Sequence, residues 1–422
     1  MSTVMRSIFS IVFLIISLNA FSSKLLIPMD DNQKNHLKAY GIAYWVLQQD
    51  VDLEWLLNYK GGSFLIPYSK TIQDECSIRG VSFQVISDVQ TMSIYEEIAS
   101  PDVNMEVIKL EKVPKIAVYS PQGKQPWDDA VTLVLTYAEI PYETIYDTEV
   151  IEGKLPLYDW LHLHHEDFTG QFGKFYASYR NAAWYQDEVR TNTATANKLG
   201  FKKVSELKNA VANEIRNYVL GGGFLFTMCS GTDSYDISLA ATGLDICESM
   251  YDGDPAESNY QSKLDYKKSL AFKDFTIVQN PMQYEFSDID ATNDHITLGQ
   301  TKDVFSLFDF SAKWDVVPTM LTQSHRRVVS GFMGQTTSFR KDLIKPNVTV
   351  LGETKSIGAA KYIHGEAGEG QWTFYGGHDP EDYRHLVGDP PTDLNLHPNS
   401  AGYRLILNNV LFPAAKKKKL KT

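Results

Sequence analysis

The chain has only three cysteines in 422 residues, Cys76, Cys229 and Cys247. That is too few for a disulfide framework, and an odd number leaves at least one thiol unpaired. Positive charge is also short. Forty Lys and Arg stand against 52 Asp and Glu, a net charge of −12, which is the wrong sign for a surface that tracks phosphates and argues against nucleic acid as a partner. Beyond the amino terminus no apolar run approaches the about 20 residues that span a bilayer, so no stable membrane insertion is expected. Internal repeats and long low-complexity linkers are missing too, which excludes solenoids and flexible tandem arrays. What remains, 43% hydrophobic and 12% aromatic residues, is ordinary globular composition. At this length a single core stops growing, so two domains, or one domain with a large insertion, are expected.

The amino terminus carries an address. Arg6 precedes the apolar run from Ile8 to Ile16, and Ala20 and Ser22 stand at the small-residue positions of a cut before Ser23. This reads as a secretory signal peptide over 1–22, with no cysteine at the cut for lipid attachment, and places the mature protein in the periplasm or outside the cell.

Alternating strand and helix patterns organise the rest. Residues 23–112 read as an α/β amino-terminal lobe with strands at Lys24–Pro28, Gly62–Pro67 and Gly80–Ile86 and a helix over Asn35–Gln49. Residues 113–412 read as an α/β domain. Its expected strands are Pro114–Tyr119, Tyr142–Tyr146, Tyr158–His164, Phe224–Met228 and Trp372–Tyr375. Its expected helices are Trp127–Ala138, Val204–Leu220, Ser234–Ala241 and Ser400–Leu411. That alternation predicts a mostly parallel, doubly wound sheet. Residues from about 245 to 357 read as a strand-rich insertion, and 413–422 as a solvated basic tail.

Ligands of such sheets sit outside the carboxyl ends of the strands, and three strand ends carry chemistry. Thr227-Met228-Cys229-Ser230-Gly231 has the strand, turn and helix context of a nucleophile elbow. The helix that follows would favour a thiolate and offer the Ser230 N–H to an oxyanion. A buried structural cysteine is the plain alternative. Gly376-Gly377-His378-Asp379-Pro380-Glu381 supplies a base with carboxylates beside it, the makings of a Cys-His-acid set, or simply a turn. His162-Leu163-His164-His165-Glu166 is the third. Strand alternation puts His162 and His164 on one face and His165 on the other, so three histidines do not converge on one ion. His164 with Glu166 could bind zinc, but a polar wall of the site is the better reading, and no metal or cofactor is assigned.

The strands ending at Cys229 and at Gly376-Gly377-His378 resemble the class I glutamine amidotransferase-like fold over residues 114–412. Asn293-Asp294-His295-Ile296-Thr297 and the run from Gly368 to His378 look most like its trehalose-utilisation-type branch. The resemblance implies Cys229 as nucleophile, His378 as base, Glu381 or Asp379 as orienting acid, and the loop Phe168-Thr169-Gly170 as a second oxyanion donor. His164, His165, Glu166, Gly170 and Ser230 would line the substrate site. Two departures stand out: Thr227 replaces the first glycine of Gly-x-Cys-x-Gly, and Glu381 lies three residues after His378 rather than two.

The whole chain also looks like exported Bacteroidota-type proteins often labelled asparagine synthetase B. Ser230-Gly231-Thr232-Asp233-Ser234 resembles the pyrophosphate loop of those synthetases, with one glycine where that loop has two adjacent ones. The expected function is thus a hydrolase of amide or related acyl bonds acting on a small molecule. Glutamine-dependent asparagine synthesis is the runner-up. A non-catalytic carbohydrate-binding module using Trp160, His164, His165 and Tyr383 is the third reading.

Overall fold

Short apolar runs punctuated by Gly, Pro and Asn build a first sheet. In the computed structural model, which describes residues 23–415 except 122 and 124, strands β1 (Lys24–Ile27), β2 (Leu53–Leu57), β3 (Ser63–Pro67), β4 (Gln84–Ile86) and β5 (Glu106–Leu110) pair antiparallel in the order β4-β1-β3-β2-β5. The expected signal peptide and the four lysines at 416–419 lie outside the described residues. Alternation splits the side chains between two cores. Leu25, Ile27, Trp55, Leu57, Phe64 and Ile66 pack with the helix His36–Gln48. Leu26, Leu56, Leu65 and Ile86 pack with Ile94 and Ile98 of the helix Asp88–Ala99. Strands β2 and β5 escape the sequence reading because the cross-strand pair Glu54 and Lys109 interrupts their short apolar runs.

A second sheet takes β6 (Ile116–Tyr119), β7 (Glu143–Ile145), β8 (Trp160–Leu163), β9 (Phe224–Met228), β10 (Val304–Leu307), β11 (Val328–Ser330), β12 (Phe339–Arg340), β13 (Thr349–Thr354), β14 (Ala359–Ala367) and β15 (Gly370–Tyr375). The order is β11-β10-β13-β14-β15-β9-β8-β6-β7, with β12 beside β14. Strands β7, β6, β8, β9 and β15 are parallel, and the remainder antiparallel. The fold is therefore α/β with a mixed sheet, not a mostly parallel one. The segment read as a strand-rich insertion differs from expectation in two ways. Its strands β10 to β13 extend the main sheet, and residues 245–303 contain no strand. There the backbone finds other partners: the buried Asp236 carboxylate accepts the N–H groups of Leu270, Ala271 and Phe272 at 2.6, 2.7 and 2.9 Å.

The parallel strands bury both faces. Ile116, Val118, Trp160, Phe226 and Met228 join one core with the helices Ala130–Ala138 and Ala401–Leu411. Ala117, Tyr119, Leu161, Leu163 and Leu225 join the other with Val204–Leu220 and Gly231–Ala240. The first of these cores is continuous with that of the amino-terminal sheet. Buried Arg404 crosses between them, donating to Met29 O at 2.9 Å and Tyr40 Oη at 3.1 Å. Among the described residues no helix is long and apolar enough to cross a membrane.

The two sheets meet where His36–Gln48 lies against Ala130–Ala138, and Gly41 sets how closely. A Cβ there would stand 1.9 Å from the Ala138 carbonyl oxygen. Gly41→Ala is expected to destabilise the chain by about 1–3 kcal/mol, the usual cost of forced overpacking, read as a lower urea midpoint with unchanged slope.

Candidate active site

Four chain segments leave the carboxyl ends of the parallel strands and converge. Asp128 and Asp129 follow β6, just before the helix Ala130–Ala138; His164, His165 and Glu166 follow β8; Cys229 ends β9; His378 ends β15. The order β7-β6-β8-β9-β15 reverses the direction of chain progress between β6 and β8, where open α/β sheets form a crevice.

Cys229 sits on a strained turn. Its φ is +49°, in the left-handed region that costs a non-glycine residue of order 1–3 kcal/mol unless the surroundings hold it. Two backbone hydrogen bonds do so, Cys229 N–H to Gly377 O at 3.2 Å and Gly231 N–H to His164 O at 2.7 Å. Thr232 Oγ1 adds a bond to Cys229 O at 2.6 Å. Only glycine fits at 231, since a Cβ would stand 2.6 Å from His164 O. The helix Gly231–Ala240 starts directly behind the thiol, and the Gln335 N–H donates to Cys229 Sγ at 3.3 Å.

His378 brings a ring nitrogen within 4.8 Å of Cys229 Sγ, with a His164 nitrogen in the same cluster. Behind His378 is Asp128, whose Oδ1 lies 3.8 Å from His378 Nε2 and 2.9 Å from His385 Nε2. The His378 and His385 rings stack at 4.7 Å. Burial and neighbouring His164 oppose protonation of His378, but Asp128 and Cys229 outweigh them and raise its pKa. Burial likewise works to raise the Asp128 pKa, yet the two imidazoles hold it well below the usual carboxylate range.

Glu381, the acid expected from the sequence, is not in this set. Its carboxylate pairs with His397 Nδ1 at 3.0 Å, because the turn through Pro380 sends it to the surface, and no ion pair joins it to His378 among the described residues. Asp379, the alternative, is fully buried, accepts the Glu381 N–H at 2.8 Å and faces Tyr403. Asp128 takes the place behind the base. Sequence reading missed it because it comes from the start of a helix some 250 residues before His378, although its position after the first parallel strand was a signal.

The other expected residues divide. Ser230 is buried at the elbow. His164 is at the centre of the cluster. His165 and Glu166 line a neighbouring cavity together with Gly170, and burial pushes Glu166 up to about 8. The Phe168-Thr169-Gly170 loop turns away from Cys229: Gly170 packs on Ser205, and Thr169 O accepts from the Cys247 thiol at 3.1 Å. Trp160 is core, stacked on Phe226, and Tyr383 faces Asp303, with burial and that carboxylate pushing it up to about 12. Residues 230 to 234 are fully buried, with Thr336 Oγ1 donating to Asp233 Oδ1 at 2.8 Å and Ser234 Oγ donating to Glu166 O at 3.2 Å. They leave no open cradle for pyrophosphate.

Cys229 and His378 open on a cavity of about 410 Å³ walled by Trp127, Phe175, Tyr179 and Tyr284, with Arg384 at its side. All three cysteines are free and buried.

No protein-family model matches the chain, and no curated protein does. Among solved structures it is similar to the cytoplasmic protein STM3548 from Salmonella typhimurium, 11% identical, with a TM-score of 0.34, covering 72% of this chain and 100% of that one. It is similar also to the cytoplasmic protein STM1381 from Salmonella typhimurium LT2, 14% identical, TM-score 0.35, with the same coverage. A GH42 β-galactosidase, Gan42B, matches at 11% identity and TM-score 0.26 over 64% of this chain and 28% of its own. Likeness at this level bears on neither activity nor location.

The Asp128 pairing is open to titration. His385 is raised from 6.5 to about 9, chiefly by the Asp128 carboxylate 2.9 Å away. Because the folded value is the higher, the pair contributes its stability in full below about pH 6.5 and loses it as pH rises through about 9. NMR titration should find one imidazole titrating near 9 that moves back toward 6.5 in Asp128→Asn.

Proposed function

We propose that the protein is a cysteine hydrolase of amide or related acyl bonds in a small molecule, built on a doubly wound, amidotransferase-like arrangement of its parallel strands and exported through residues 1–22. The observation that carries this reading is a thiol held at positive φ beside a buried imidazole that is itself backed by a carboxylate. The strand order β7-β6-β8-β9-β15 supports the frame, being the doubly wound order in which ligands bind at the reversal.

The steps follow from the geometry. His378 takes the proton from Cys229 Sγ, and Asp128 stabilises the imidazolium so formed. The thiolate attacks the acyl carbon, and the carbonyl oxygen gains the negative charge. The Ser230 N–H is the donor left for that charge, since the Gly231 and Thr232 N–H groups are engaged with His164 O and Cys229 O. Collapse of the intermediate breaks the carbon–nitrogen bond, the leaving amine takes the proton from His378, and water, activated by the same imidazole, hydrolyses the thioester. The aromatic walls and Arg384 of the 410 Å³ cavity suit a small substrate with a flat or apolar part and an anionic group.

Alkylation by iodoacetamide, mapped by mass spectrometry, tests this without a known substrate. Burial pushes the Cys76 thiol up to about 12 and raises that of Cys247 as well, so Cys229 should react fastest. Its rate should fall in His378→Ala and Asp128→Asn and stay unchanged in Glu381→Gln. Turnover of any amide found in a substrate screen should drop about 10²–10⁴-fold in His378→Ala, the usual worth of a general base. A Cys229 rate indifferent to His378→Ala would end the reading.

A further inference from the structure

Asp128 backs the proposed base, and its neighbour Asp129 does something different. Asp129 Oδ2 stands 3.3 Å from His162 Nε2, and Asp129 Oδ1 stands 3.3 Å from His164 Nδ1. Neither contact is a hydrogen bond, so both imidazole nitrogens are buried without a partner. The two histidine side chains are fully buried. Three donor atoms lie within 4.8 Å of one another.

We propose that Asp129, His162 and His164 bind a divalent d-block cation of the zinc class, whether or not Cys229 acts as a nucleophile. Tetrahedral ligands about 2.1 Å from a shared ion lie roughly 3.4 Å apart, which is the spacing of the two contacts. The surroundings present the donors as a metal site requires. His162 Nδ1 lies 3.2 Å from the Phe226 carbonyl oxygen. That oxygen can only accept, so Nδ1 carries the proton and Nε2 offers its lone pair toward the carboxylate. Two lone pairs facing each other in a buried site repel unless a cation lies between them. The Asp129 carboxylate is fixed as well, because Oδ1 caps the next helix by accepting from Val131 and Thr132 N–H at 2.7 and 3.0 Å. The two-residue period of β8 turns His162 and His164 to the same side.

The donor chemistry selects the ion. Two imidazoles with one carboxylate suit zinc and its transition-metal neighbours, whereas magnesium and calcium prefer oxygen ligands. Three protein ligands leave a fourth position open, and Asp129 borders a cleft of about 580 Å³ with Ser120, Thr132, Tyr142 and Thr144, through which an ion and a water can enter.

The test uses the full chain stripped with a chelator and titrated with zinc chloride, with cobalt chloride as a spectroscopic probe. One equivalent of zinc should bind, and bound cobalt should give tetrahedral visible bands without a thiolate charge-transfer band. Asp129→Asn and His162→Gln should weaken zinc by at least about 10–100-fold, the range seen even for losses behind the ligands, while Cys229→Ser should not change it. Asn keeps an acceptor at the helix start, so Asp129→Asn can be matched to the parent by circular dichroism and carries the test if His162→Gln does not fold. The proposal is overturned if no stoichiometric zinc binds, or if Asp129→Asn binds as the parent does. It is overturned also if Cys229→Ser abolishes binding and the parent shows the charge-transfer band, which would move the ion to His164, Cys229 and His378.

Discussion

Two backbone hydrogen bonds, Cys229 N–H to Gly377 O and Gly231 N–H to His164 O, tie the ends of β8, β9 and β15 into one rigid edge. Everything at the site depends on them. They hold the positive φ of Cys229, which no local sequence preference favours, and they fix His164 and His378, whose rings lie 4.5 Å apart, beside the thiol. They also explain why glycine stands at 231: the carbonyl of His164 occupies the space a side chain would need. The strain is local, and the cost of order 1–3 kcal/mol is offset by the core on both faces of the sheet.

A second constraint is electrostatic. Buried carboxylates are costly unless paired, and each of the two consecutive aspartates after β6 stands against two imidazoles. Asp128 serves His378 and His385, and Asp129 serves His162 and His164. One step along the chain sends their side chains to different pairs, so a single loop supplies two centres. Both aspartates border the cleft of about 580 Å³, and Asp128 meets the 410 Å³ cavity only through His378 and His385, which line it.

Much of the frame was legible because it rests on periodicity. Val204–Leu220 and Phe224–Met228 coincide with the sequence reading residue for residue, and His36–Gln48 and Ala401–Leu411 to within one or two. The α/β class follows from those elements, whereas the antiparallel half of the sheet does not: strand character was legible in residues 245–357, but which strands pair is a long-range choice that local pattern does not fix. Strand alternation placed His162 and His164 on one face but could not supply Asp129. The motif-bearing ends at Cys229 and His378 were readable for the same reason that the acid was not. A strand end is a local feature, and the partner of His378 comes from a loop distant in sequence, while nearby Glu381 is drawn off to His397.

The distribution of unmet polar groups argues that this edge is where the fold spends its stability. Asp128, His162, His164, His165, Glu166 and His378 all bury side-chain atoms without hydrogen-bond partners. Leaving one such group unmet costs about 1–3 kcal/mol, and a domain's net stability is only about 5–15 kcal/mol. A core designed for stability alone would replace these residues with apolar ones of similar volume, as the same strands do a few residues earlier at Leu161, Leu163 and Leu225. Departures from packing rules that cluster at the carboxyl ends of four elements, and nowhere as densely elsewhere among the described residues, are what a site for a reacting group or a bound ion requires.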